Sequence, residues 1–125
     1  THKKIALMNP YIYVISVNGL LFFFSIVFYF FPPKKINAIY GYRTNKSIKN
    51  EEIWHYANTF FNKTLLKYAA ISFAFTLLYV FVAAAEITWQ PMVILLLTLA
   101  VSVIKTEQVL AQNFNSDGKK LKVKK

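Results

Sequence analysis

Three long stretches without a single charged residue constrain this chain more than any other feature. They run from Pro10 to Phe31, from Tyr68 to Ala85 and from Ile87 to Ile104, and contain 22, 18 and 18 residues. A hydrocarbon core about 30 Å thick is crossed by roughly 17–25 helical residues, so each stretch is long enough to span a bilayer. Three strands cannot close a barrel, and backbone groups in hydrocarbon must be satisfied within their own segment, which leaves helices. The expected fold is all-α: an integral membrane three-helix bundle forming a single domain over residues 1–125. The spans fall near 10–31, 68–85 and 88–105, with a polar connection over 32–67 and a basic tail over 115–125. The first stretch is longer than the apolar core of a signal peptide and no small-residue cleavage site follows it, so it reads as a span.

Helix ends are marked locally. Asn9 can cap free amides and Pro10 suits a first turn, while Pro32-Pro33 stops the first helix. Tyr11, Asn18 and Ser25 recur every seven residues and read as a packing stripe. Only Glu86 carries charge between the second and third spans, so these form a tight hairpin, with Thr88 as the expected cap of the third helix and Pro91 in its first turn. Ala70, Ala74 and the Thr98, Ser102, Thr106 stripe read as positions of close helix packing in lipid. The third helix is expected to continue to about Phe114, with Val109, Leu110 and Phe114 leaning on the membrane surface.

The connection divides in two. Lys34 to Asn45 has turn formers and no clear period. From Glu51 onward the pattern is helical: Asn50 or Ser47 can cap it, Glu51 and Glu52 suit the positive end of the dipole, and Trp54, Ala57, Phe61, Leu65 and Tyr68 follow at helical spacing. Nothing breaks the pattern at Lys67, so an extended interfacial or cytoplasmic helix is predicted to lead directly into the second span. From Glu51 to Ala85 it would measure about 52 Å, well beyond the hydrocarbon core, which puts Trp54, His55, Tyr56, Asn58 and Asn62 in or above the headgroup zone.

The formal charge is +10, and the basic residues lie outside the apolar stretches. That distribution argues for anionic lipid, contacted by Lys34, Lys46, Lys63, Lys67 and Lys105, and against nucleic acid. The connection and the tail hold thirteen Lys and Arg, against Lys3 and Lys4 before the first span. An odd number of spans puts connection and tail on one side, so the expectation is a multi-pass protein of the bacterial cytoplasmic (inner) membrane with its N-terminus outside and its C-terminus in the cytoplasm.

Without cysteine there is no disulfide, thiolate metal site or thiol nucleophile. Glu51 and His55 stand four apart on one helix face, but two ligands without a third make a weak metal site. No nucleophile elbow, phosphate loop or HExxH is present. The chain therefore reads as a non-enzyme with no cofactor and no metal.

One block is distinctive. Pro33-Lys34-Lys35-Ile36-Asn37-Ala38-Ile39-Tyr40-Gly41-Tyr42-Arg43-Thr44, then Lys49-Asn50-Glu51-Glu52-Ile53-Trp54 and Ala57-Asn58, resembles the signature of the SdpI family, in which a PKxN…GYRT stretch leads into a helix opened by N-x-E-x-W and continued by A-N. Thr106-Glu107, Asn113-Phe114 and Asp117-Gly118 resemble that family's closing segment, and the likeness covers about residues 20 to 120. It implies an immunity-type bacterial membrane protein that protects a producing cell from its own secreted killing peptide, here as a single three-helix unit. The functional region it implies comprises Lys35, Asn37, Gly41, Tyr42, Arg43, Thr44, Asn50, Glu51, Glu52, Trp54 and Asn58.

Arg43 is the lone arginine among fifteen basic residues. Its fork suits carboxylate or phosphate oxygens bidentately, and Gly41 allows a backbone turn beside it. Two readings stand: Arg43 pairs with Glu51 or Glu52 and pins the loop to the helix start, or it captures a lipid phosphate or an acidic group of a partner. The expected function is non-catalytic protection against an antimicrobial peptide toxin by binding in the membrane; the alternative is an accessory subunit of a larger inner-membrane transport or secretion complex. Expected partners are anionic membrane lipids, the peptide toxin, and another membrane protein or a second copy in a homodimer that recreates a doubled form of the unit.

Overall fold

The computed structural model describes residues 9–115, 118 and 119, so the expectations for Lys3, Lys4, Ser116, Asp117 and most of the basic tail lie outside the described residues. Three helices dominate: α1 (Pro10–Phe30), α2 (Glu51–Ala83) and α3 (Gln90–Asn113), with one 3₁₀ turn at Ala84–Glu86 between the last two. All three are long and apolar enough to cross a membrane. α2 is central, packing on both α1 and α3, while α1 and α3 touch each other less.

The caps follow the local chemistry. Asn9 Oδ1 accepts from Tyr11 N at 2.8 Å, and Asn50 Oδ1 accepts from Ile53 N at 2.9 Å. Thr88 does not cap α3. Its amide donates to Gln90 Oε1 at 2.7 Å and its carbonyl accepts from the Tyr13 hydroxyl at 2.5 Å, so the residue is spent on tying the hairpin to α1 and the helix begins at Gln90 with Trp89 as N-cap.

The distribution of polarity suits lipid rather than water. Asn18, Ser25, Thr76, Thr98, Ser102 and Thr106 are buried between the helices, whereas Leu78, Phe81 and Val82 are 67%, 76% and 84% exposed. Apolar side chains gain nothing by leaving lipid, so small residues that let helices approach take the interior instead. Their hydroxyls are satisfied on their own helix: Thr98, Ser102 and Thr106 each donate to the carbonyl four residues back at 2.7–2.8 Å. On α2 the small interfacial residues are Ala69 and Thr76, because Ala74 faces outward and Ala70 is only partly covered.

Beyond the span, α2 does not project alone. Its stripe Ile53, Ala57, Phe61 and Leu65 packs with Tyr42 of the connection and with Leu110 and Phe114 at the end of α3. Val109 is half-buried, and Leu110 and Phe114 are 0% and 1% exposed, so this end of α3 is core rather than a surface leaning on lipid. Trp54, Asn58 and Asn62 are likewise buried in protein, not presented to headgroups; His55 is exposed and Tyr56 half-buried, its ring edge-on to Phe114 at 5.5 Å. The aromatic spacing is the same for either fate, and α3 and the connection supply the partner surface that decides it.

Candidate functional site

The connection between α1 and α2 is built by short-range hydrogen bonds and then fastened to the helices. Asn37 Oδ1 accepts from the amides of Ile39 and Tyr40 at 2.9 and 2.6 Å, an Asx-type turn, while its Nδ2 donates to Lys35 O. The Tyr40 hydroxyl donates to Phe31 O at the end of α1, and its ring lies edge-on to Phe28 at 5.4 Å.

Gly41 follows with φ +112°, in the region that favours glycine. A Cβ here would stand 2.7 Å from Pro33 Cγ, 2.9 Å from Asn58 Oδ1 and 3.0 Å from Trp54 Cζ2. The backbone thus passes directly over α2. Asn58 receives it, with Oδ1 accepting from Tyr42 N at 2.6 Å and Nδ2 donating to Trp54 O at 3.0 Å. Trp54 itself is fully buried, and its Nε1 has no partner among the described residues.

The side chain of Tyr42 fills the space between the helices. Its ring lies 4.5 Å from that of Phe61, and its hydroxyl donates to Glu107 Oε2 on α3 at 2.5 Å. Burial, and next the hydrogen bond and negative charge of Glu107, push the Tyr42 hydroxyl far above the usual tyrosine range, so it remains a protonated donor. Thr44 Oγ1 donates to the same carboxylate oxygen at 2.8 Å. Buried Ser47 closes the turn, its Oγ accepting from Thr44 N at 2.8 Å and lying 3.0 Å from Tyr42 O. Glu107 therefore joins two loop hydroxyls to α3, and together with Thr44, Asn45, Lys46 and Lys49 it lines an open cleft of about 510 Å³.

Arg43 pairs with neither Glu51 nor Glu52. It is exposed, and its Nε donates to Asn37 O at 2.7 Å. The one-turn segment Thr44–Ser47 separates it from the helix start, and Glu51 instead lies 3.6 Å from His55 Nε2 with both side chains more than half exposed. No group of three or more His, Asp or Glu able to hold a metal occurs among the described residues.

The structure thus brings Asn37, Gly41, Tyr42, Thr44, Trp54 and Asn58 into one assembly with Arg43 on its outer side. It leaves Lys35, Glu51 and Glu52 exposed, and uses Asn50 to cap α2 and to hold Gly118 O at 3.0 Å. Among the proposed lipid contacts, Lys34, Lys63, Lys67 and Lys105 are exposed and Lys46 is half-buried. Sequence reasoning did not assign Glu107 or Ser47 to the site. Glu107 was nonetheless conspicuous, as one of five acids and the only charged residue besides Lys105 on α3.

The chain is similar to an uncharacterized protein, YfhL, of Bacillus subtilis (strain 168), with 42% identity over 43 residues. That match covers 34% of this chain and 39% of the relative, so it spans about two-fifths of the curated protein. No solved structure matches significantly. The model of the SdpI/YfhL protein family matches residues 34–106, a stretch that holds the loop from Lys34 onward, all of α2 and α3 as far as Thr106, one residue short of Glu107. With more than half of its length matched, this three-helix membrane protein belongs to the SdpI/YfhL family.

Proposed function

We propose that the protein is a non-catalytic, immunity-type protein of the bacterial cytoplasmic membrane that protects the cell from a secreted antimicrobial peptide. It acts by binding, either intercepting the peptide in the bilayer or shielding its target. One observation carries this reading: the family-specific loop is fastened to α2 and α3 and holds the exposed Arg43 by its Nε, the one hydrogen bond of its guanidinium among the described residues. The Nη pair is left to fork a carboxylate or a phosphate, and a loop already ordered loses little entropy when it binds.

Protection of cells challenged with the peptide secreted by a producing strain tests this reading, at equal membrane abundance of each variant. Arg43→Ala should lower the tolerated peptide concentration about ten-fold or more, in line with loss of a charge-assisted bidentate contact. Arg43→Lys keeps the charge and loses the fork, and should fall close to the alanine variant. Lys46→Ala should change tolerance less than about three-fold. Equal behaviour of all three variants would remove Arg43 from the site. Loss of protection in none of them, together with co-purification at fixed stoichiometry with a large complex, would favour the accessory-subunit reading.

The orientation that goes with this function has the loop and the end of α3 in the cytoplasm and the hairpin outside, as the excess of basic residues favours. The chain has no cysteine of its own. Single cysteines at exposed Asn45 and Thr88 should therefore give labelling of intact cells by an impermeant thiol reagent at Thr88 alone; the reverse pattern would invert the topology.

A further inference from the structure

The lipid-facing side of the α2–α3 hairpin is not flat. A cleft of about 270 Å³ lies between the two helices, walled by Tyr68, Ile71 and Ser72 of α2 and by Ile94, Leu97 and Val101 of α3. A separate one of about 240 Å³ follows toward Trp89. No acidic side chain lines either.

The two walls of the first cleft end in the same chemistry. On α2, Lys67 precedes Ile71 by four residues and so shares its face, with Nζ 5.6 Å from the Tyr68 ring centroid. On α3, Lys105 follows Val101 by four residues and continues that wall. Both lysines are exposed. From Lys105 to Ile94 is about 16 Å of helix, roughly half of a hydrocarbon core about 30 Å thick. The cleft and the helical turn beyond it together have the depth of one leaflet; the lining is mostly apolar, with Ser72 and Thr98 among it, and the two lysines stand just past its end, where a headgroup would lie. A transmembrane helix would need an apolar seat across the full thickness. Neither cleft has a lysine among its lining residues, but only the first has lysines one turn beyond its walls; one turn beyond the second stand Ala83 and Glu86.

We propose that this cleft is a binding site for one anionic phospholipid, with an acyl chain between α2 and α3 and the phosphate held by Lys67 and Lys105. The site is independent of the Arg43 loop and of the protective function proposed above.

The test is native mass spectrometry of the full chain released from phosphatidylcholine nanodiscs doped with phosphatidylglycerol. One phosphatidylglycerol should remain bound while phosphatidylcholine is lost. The double variant Lys67→Gln, Lys105→Gln should weaken that retention about 25-fold, at roughly five-fold per lysine. Lys46→Gln with Lys63→Gln should change it less than about two-fold, because neither stands one helical turn from a residue that lines the cleft. Leu97→Trp should abolish retention with both lysines in place, since its indole fills the groove. Retention of both lipids alike would overturn the proposal, as would undiminished retention by Leu97→Trp, which would reduce the site to a headgroup patch. A photo-crosslinking residue at Leu97 should capture lipid in native membranes, and capture of a polypeptide there would assign the groove to another occupant.

Discussion

Glu107→Ala is expected to release the loop from α3 and to cost about 2–4 kcal/mol of its docking free energy. The carboxylate accepts from the hydroxyls of Tyr42 and Thr44 at 2.5 and 2.8 Å, and hydrogen bonds to a charged acceptor contribute about 1.5–3 kcal/mol each. Tyr42 is only 6% exposed, so its hydroxyl would lose its carboxylate partner in a place that water reaches poorly. With the loop cytoplasmic, as in the proposed orientation, limited trypsin digestion of inverted membrane vesicles reads the effect as faster cleavage after Arg43, because a protease needs several residues of extended chain around even an exposed side chain. Where opening is fast relative to cleavage, the rate follows the open population, and 2 kcal/mol corresponds to about a 30-fold increase. Glu107→Gln keeps an acceptor but loses the charge and should show a smaller increase. Tyr42→Phe and Thr44→Val should each open the loop less than Glu107→Ala. Unchanged cleavage at Arg43 in Glu107→Ala would show that the loop is held by the Gly41–Asn58 contact instead.

Gly41→Ala is expected to be as damaging by a different route. A non-glycine residue at φ +112° costs about 1–3 kcal/mol, and the added methyl has three walls around it at 2.7–3.0 Å. Pro33 is rigid, Asn58 Oδ1 is committed to Tyr42 N, and Trp54 is buried on all sides, so no neighbour can yield cheaply. Overpacking of this kind adds about 1–3 kcal/mol. The sum rivals the whole stability of a small domain, and the thermal midpoint in mild detergent should fall by more than about 10 °C. Gly19→Ala supplies the contrast. Its methyl would meet the tip of the Phe73 ring at 3.1 Å, a side chain that can swing, and alanine favours the helix, so little change is expected. Similar midpoints for both variants would mean that the Gly41 turn relaxes without cost.

Much of this architecture is legible in the sequence because it depends on near neighbours. An uncharged run long enough for the bilayer makes a helix wherever it lies, so α1 and the membrane parts of α2 and α3 could be read from charge alone. The start of α2 was equally local: Asn50 caps the amide three residues on, and the acids that follow suit the dipole. Thr88 shows the limit of such reasoning. It has the chemistry of a cap, but Tyr13, 75 residues away, takes its carbonyl, and the hairpin closes around that contact.

Local pattern is enough to mark three helices long and apolar enough to cross a membrane, the unbroken run of the second through its polar and apolar parts, and the polar connection in which a site was expected. What the residues of that connection touch comes from the way the helices pack. Glu107 meets Tyr42 and Thr44 across 65 and 63 residues of chain, and no local pattern encodes that pairing. The same holds for Trp54 and Phe114, whose spacing suits a headgroup belt or a protein core equally well until α3 and the loop cover them. Periodicity specifies which face of a helix is apolar. What that face meets is set by how the chain returns to it.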